Sequence, residues 1–247
     1  MRPLWALLRR ELIAIYTSPI AWVVLATFLL LSGVYFYEIL WVLSRPVAPY
    51  GTPMGLFFGG TLLAWVPLLL FVAAITMRTF AEERHAGTLE PLLTAPVTPN
   101  QVIAAKFLGA WVFYLSLWVP TLAYPLVLWR HADPACGPIA AGYLGTALLG
   151  AALVALGVLA SALARTQIVA AILAFGLGGL WLFAGVGASL LPAGTTAGRI
   201  LRHASVFEMM DRFRVGIVDS RDVVFCLSLA LLALLLCRAV LDLRRSS

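Results

Sequence analysis

Charge is scarce in this sequence. Asp, Glu, Lys and Arg make up only 11% of its 247 residues, against 62% hydrophobic residues and a mean hydropathy of +0.99. So small a polar supply excludes a soluble globular domain, which at this size must still present a largely polar exterior to water. Lysine is almost missing: of 17 basic residues only Lys106 is a lysine. The arginines behind the net charge of +6 stand singly or in pairs between apolar runs and form no patch, so they read as membrane-flanking charges and not as a nucleic-acid surface. Cysteine is limited to Cys136, Cys226 and Cys237, an odd number with two in the last apolar run, which suggests neither a disulfide framework nor a CxxC metal site.

Several chemistries lack their residues. No GxxxxGK[ST] frame surrounds Lys106 in QVIAAKFLG, so this chain is not expected to hydrolyse ATP. HExxH and GxSxG are absent, and His85, His131 and His203 fall in connecting segments, against a membrane-embedded protease or lipid transferase. A secondary transporter needs ionisable groups inside its spans. Glu38, the acid of span one, has Tyr35, Tyr37 and Trp41 beside it, as an interfacial carboxylate would. These two classes are the alternative functions. No small-residue cleavage site follows the first long apolar run, and Arg9, Arg10 and Glu11 interrupt the residues before it, so that run is expected to stay in the membrane as an anchor.

What the chain does have is apolar length. About 20 such residues carry a helix across a hydrocarbon core, and six runs qualify, near 19–42, 56–77, 100–129, 139–163, 167–191 and 222–241. The predicted fold class is therefore all-α, a polytopic membrane protein with six transmembrane helices. Gly55 and Gly59 form a GxxxG, and Ala147, Ala151 and Ala155 recur every four residues, spacings that let helices approach closely in lipid. Arg2, Arg9, Arg10, Arg78, Arg84, Lys106, Arg165, Arg244 and Arg245 fall on one side, which points to cytoplasmic N- and C-termini. Arg199, Arg202, Arg212, Arg214 and Arg221 oppose them, in a loop that also carries Glu208, Asp211, Asp219 and Asp222.

Residues 1–17 read as an amphipathic helix lying on the membrane, with Leu4, Trp5, Leu8, Leu12, Ile15 and Tyr16 on one arc, interrupted by Leu7 and Ile13. Thr17 or Ser18 before Pro19 then caps span one. In the loop between spans five and six, Val206, Met210, Phe213 and Ile217 share a face opposite Asp211 and Arg214, as in an amphipathic helix at the outer surface.

The segment 77–106 is the most informative. Thr79 and Glu82 have capping-box spacing and present Glu82, Glu83, Arg84 and His85, which are too polar for hydrocarbon. Gly87 ends that turn; Thr88 caps a very short helix, Leu89 to Thr94, with Glu90 and Pro91 in its first turn and Leu89, Leu92 and Leu93 on one side. After Pro96, Thr98 and Gln101 form a second capping box, with Pro99 at the first helical position and Val97 stapling onto Val102. The short helix is either an interfacial turn dipping its leucines among headgroups or a knob that docks on a cytoplasmic partner, with Glu82, Glu83, Arg84 and Glu90 at its rim.

The string ITMRTFAEERHAGTLEPLLTAPVTPNQVIAAKFLGAW resembles the signature region of ABC-2 permeases, and is most similar to the permease of gliding-motility ABC transporters. RELIAIYTSPIAWVVLATFLLLSGVYFY looks like that family's elbow helix and first span, and DRFRVGIVDSRDVVFCLSLALLALLL like its approach to the last span. The resemblance implies a single ABC-2 transmembrane domain over 1–247, with an interfacial elbow helix and a cytoplasmic coupling helix around Gly87 to Ala95. It implies an exporter permease of the bacterial inner membrane, driven by a separate ABC ATP-binding subunit and paired with a second permease copy, identical or related. Glu82, Glu83, Arg84, Gly87, Thr88, Leu89, Glu90, Leu92 and Leu93 would meet the partner, and ATP and Mg would be bound there, leaving this chain without a cofactor. Pro91 departs from the aliphatic residue common in such permeases. Re-entrant or interfacial helices are implied between spans five and six, near the exit of the pathway; a helix that merely caps the bundle is the plainer alternative.

Overall fold

A computed structural model describes residues 2–45, 51–59, 62–85, 87, 98–131, 134–189 and 195–245. They form helices and no strand: α1 Arg2–Thr17, α2 Pro19–Leu43, α3 Pro53–Phe58, α4 Leu62–Thr76, α5 Ala81–His85, α6 Pro99–Trp118, α7 Ala123–Trp129, α8 Cys136–Leu163, α9 Gln167–Ser189, α10 Thr196–His203, α11 Val206–Arg214 and α12 Ser220–Arg245. Among the described residues six helical stretches are long and apolar enough to cross a membrane: Pro19–Leu43, Trp65–Arg84, Pro99–Trp129, Cys136–Leu163, Gln167–Gly187 and Ser220–Leu243. The protein is a multi-pass membrane protein of all-α class.

Prolines set several boundaries. Pro19 and Pro99 stand in first helical turns, where no amide donor is missed. Gln101 Oε1 accepts from the Thr98 amide at 3.1 Å, one half of the predicted box. The third apolar run is not one helix: Pro120 offers no amide to the preceding turn, α6 stops at Trp118, and a 3-10 turn over Pro120–Leu122 leads into α7. The second run likewise divides. Thr52 caps the short α3 by accepting from the Gly55 amide at 3.1 Å, and α4 starts afresh at Leu62. Gly55 and Gly59 thus end up in and just after α3, beside Arg214.

The chain's weave gathers α1, α5, the start of α6 and the end of α8 at one end of the bundle, and α3, α7, α10 and α11 at the other. Helix α8 is the hub. It packs against α12, α9, α11, α4, α6 and α3, and Ala151 and Ala155 of the predicted small-residue stripe are buried on it. Its glycines make the approaches possible. A Cβ on Gly150 would collide with the Tyr114 ring, and one on Gly157 with Thr76. Tyr114 Oη donates to the Thr146 carbonyl at 3.0 Å and Trp111 Nε1 to Ala147 at 3.1 Å, so α6 is tied to α8 by polar bonds as well as by fit. In contrast α2 and α12 turn Trp22, Leu30, Val34, Val224, Leu227, Leu231 and Leu235 outward, as lipid-facing helices do.

At the far end α11 packs on α8 through Phe213 and Met210, which lie against Gly145. Val206, Met210 and Phe213 are buried as expected, whereas Ile217 is exposed because α11 stops at Arg214 and Gly216 turns the chain at φ +88°. Arg212 donates to both carboxylate oxygens of Asp222, at 2.8 and 2.6 Å, fastening α11 to the start of α12. These bonds raise the Arg212 pKa above its ordinary value.

Candidate functional site

At the α1 end a charged cluster lies where three helices meet. Lys106 on α6 is buried, and its Nζ sits 2.9 Å from Glu83 Oε1 on α5 and 3.3 Å from Glu11 Oε1 on α1. Arg10 Nη2 reaches the same two oxygens, Glu11 at 2.7 Å and Glu83 at 2.9 Å. The four charges sum to zero, so the set leaves no desolvated excess charge at the joint. Phe80 offers its ring face to the ammonium at 5.2 Å. Burial opposes the Arg10 charge, but the hydrogen bonds and Coulombic attraction of Glu11 and Glu83 outweigh it and raise its pKa. Gly109 allows this assembly: a Cβ there would stand 3.1 Å from the Glu11 Cβ, so α1 lies close along α6.

The junction of α4 and α5 is held from the other side by α8. Between Thr76 and Ala81 the chain makes a turn, and the buried Ser161 hydroxyl accepts from the Phe80 amide at 3.0 Å and the Ala81 amide at 3.1 Å while donating to the Met77 carbonyl at 3.2 Å. Thr79 does not cap this turn as its spacing predicts; its hydroxyl donates back to the Thr76 carbonyl at 2.7 Å. Arg84 donates through Nη2 to the Ala162 carbonyl at 2.9 Å and through Nη1 to Ala164, satisfying carbonyls at the C-terminus of α8 where a cation also suits the helix dipole. Helix α5 is thus bolted to α1, α6 and α8 at once.

Of the predicted contact residues, Glu82 is exposed at the rim, while Glu83 and Arg84 turn inward to the cluster and to α8. Gly87 takes φ +68°, the left-handed conformation expected where the helix ends, and its amide reaches the Arg84 carbonyl at 3.2 Å. Thr88, Leu89, Glu90, Leu92 and Leu93, with the short helix predicted around them and Val97, lie outside the described residues. Sequence reasoning treats Lys106 as one more flanking charge and gives Arg10, Glu11 and Ser161 no joint role. The signal was a lone lysine as the eighth residue of an apolar helix, which must find acids near its own depth.

The stretch from residue 44 to 237 matches the family model described as ABC-2 family transporter protein. The chain belongs to the ABC-2 family. It carries the permease domain of that transporter family. Over 96 residues this ABC-2 permease is 32% identical to the "Probable multidrug ABC transporter permease YbhR" of Escherichia coli strain K12, and equally to the protein of that name in Escherichia coli O157:H7. The matched stretch is 39% of this permease and 26% of each relative, so the chain spans about a quarter of the length of the curated relatives it matches.

Proposed function

We propose that this ABC-2 permease is the translocation subunit of an ATP-driven exporter, worked by a separate ATP-binding subunit that also holds the ATP and Mg. A second permease copy completes the pathway. The subunit resides in the bacterial inner membrane with both termini cytoplasmic, and the segment following Gly87 is its coupling helix. The strongest support is the construction of α5. A helix of only five residues, Ala81–His85, is joined by charges or buried hydrogen bonds to α1, α6 and α8. A push on the segment just beyond it would be passed to spans two, three and four together. That is what a bundle with no nucleotide site of its own needs from a small contact. The string around the AEERHAG turn supports kinship with the gliding-motility permeases within the family. The multidrug name of the relatives makes amphipathic small molecules the first cargo class to test.

In this mechanism Leu89, Leu92 and Leu93 fill the partner's pocket and Glu82 and Glu90 set register at its edge, while Glu83 and Arg84 anchor the foot from within. Closure of the partner dimer moves the foot, and only an interface whose free energy differs between the two states can drive the spans. The test is the double variant Leu92→Asp, Leu93→Asp. It should insert normally, lose co-purification of the cassette ATPase in mild detergent and abolish transport. Transport at the wild-type rate by that variant would overturn the assignment.

A further inference from the structure

The bend between α1 and α2 encloses a partly open cleft of about 330 Å³, at the small end of the roughly 300–1,000 Å³ typical of ligand pockets. Its composition changes along its length. One end is lined by Arg10, Glu11, Arg78, Glu82, Glu83 and Lys106. The other is walled by Ile20, Ala21 and Val24 of α2, Ala74 and Ile75 of α4, and Phe113 of α6. Pro19 opens span one, so Val24 lies about 8 Å further into the bilayer at helical rise. The apolar end therefore points into the membrane and the charged end lies at its surface, the profile of a lipid.

Six charges line the cleft, three of each sign, so it has no net attraction for an anion. Four of them, Lys106, Arg10, Glu11 and Glu83, are engaged with one another at 2.7–3.3 Å. The other two are loosely paired. Arg78 Nε stands 3.8 Å from Glu82 Oε2, beyond hydrogen-bond reach, and that Nε is buried with no hydrogen-bond partner among the described residues. A buried guanidinium donor without an acceptor costs free energy until an acceptor arrives. Ser18, which its position makes the N-cap of α2, makes no side-chain cap and instead accepts from Arg78 Nη1 at 3.1 Å, holding the guanidinium at the wall of the cleft that both residues line.

We propose that the crook of the elbow holds one glycerophospholipid whose zwitterionic headgroup carries a primary ammonium, with the phosphate on Arg78, the ammonium on Glu82 and the start of an acyl chain between α2 and α4. Phosphatidylethanolamine has this chemistry. Phosphatidylglycerol offers nothing to Glu82, and the quaternary ammonium of phosphatidylcholine has no N–H to donate to it. The lipid fills the gap between α1 and span two and makes the elbow part of the lever.

Binding needs neither the ATPase nor a second copy, so it stands or falls apart from the transport role. Purified, delipidated protein is titrated in detergent with phosphatidylethanolamine, phosphatidylcholine or phosphatidylglycerol of identical acyl chains, and bound lipid is counted by native mass spectrometry. One equivalent of phosphatidylethanolamine should bind about tenfold more tightly than either other lipid, and Arg78→Gln should weaken it by about the same factor, the loss of one charge-assisted contact. Glu82→Gln should bring phosphatidylethanolamine down to the level of phosphatidylcholine. Ala21→Trp, which fills the apolar end, should remove the tight equivalent, and Ile168→Trp on the outward face of α9 should not. Equal binding of the three lipids, preference for phosphatidylglycerol, or indifference to Arg78→Gln and Glu82→Gln would each overturn the proposal.

Discussion

The single lysine explains more of this permease than its number suggests. Lys106 is almost wholly inaccessible and its partners Glu11 and Glu83 come from two other helices, so its charge is tolerable only while α1 and α5 stay in place. Removing one member of such a buried set leaves the others charged and unpaired, at a cost of roughly 3–5 kcal/mol. Lys106→Ala should therefore lower the thermal unfolding midpoint of the detergent-solubilised protein clearly, by more than Glu82→Ala, since Glu82 is exposed and its ion pair among the described residues is the long 3.8 Å contact to Arg78. Equal midpoints for the two variants would mean that the cluster is a solvated surface feature. The residue scale is also where the sequence is least legible. Thr79 and Ser18 occupy cap positions by spacing, yet the Thr79 hydroxyl turns back to the Thr76 carbonyl of its own turn, and the Ser18 hydroxyl accepts from Arg78 once the helices pack.

At the scale of elements, six apolar runs are readable because lipid imposes a length on a helix and because polar residues gather at the ends of each run. The interruptions are harder to read, since neither Pro120 nor the gap after Phe58 breaks the hydropathy that marks a span. On α1, Leu7 interrupts the predicted stripe yet packs on the core, and Trp5 lies largely exposed, because α1 settles on α6 as well as on lipid. The hub role of α8 is half legible: its alanine stripe marks it as a packing helix, but which neighbours it admits depends on glycines matched to specific side chains. Gly157 is the sharpest case, as a side chain there meets the buried Thr76 at the end of α4. Gly157→Val should separate α8 from α4 just above the α5 junction and destabilise the fold by about 1–3 kcal/mol as overpacking. The same change at Gly176 on α9, where a Cβ would meet nothing, should leave the melting midpoint within a degree or so.

For the whole molecule, the arrangement separates two properties that are easily confused, staying folded and passing on motion. The cluster of Arg10, Glu11, Glu83 and Lys106 joins α1, α5 and α6 at the end of the bundle where the proposed coupling segment begins, while Ser161 and Arg84 join α5 to α8. A buried ionic set can be replaced by apolar side chains of similar size with little loss of stability, because desolvation offsets most of its attraction. What such a replacement removes is the geometric specificity of the joint between elbow, foot and span three. The triple variant Glu11→Leu, Glu83→Leu, Lys106→Met should therefore insert and melt near the wild-type midpoint. In an assembly with its cassette ATPase it should retain nucleotide hydrolysis yet move cargo several-fold more slowly, as α5 slides against α1 and α6 without carrying them. Transport and hydrolysis falling together would instead place the cluster in partner docking, and unchanged transport would leave the ties through Ser161 and Arg84 as the whole of the lever.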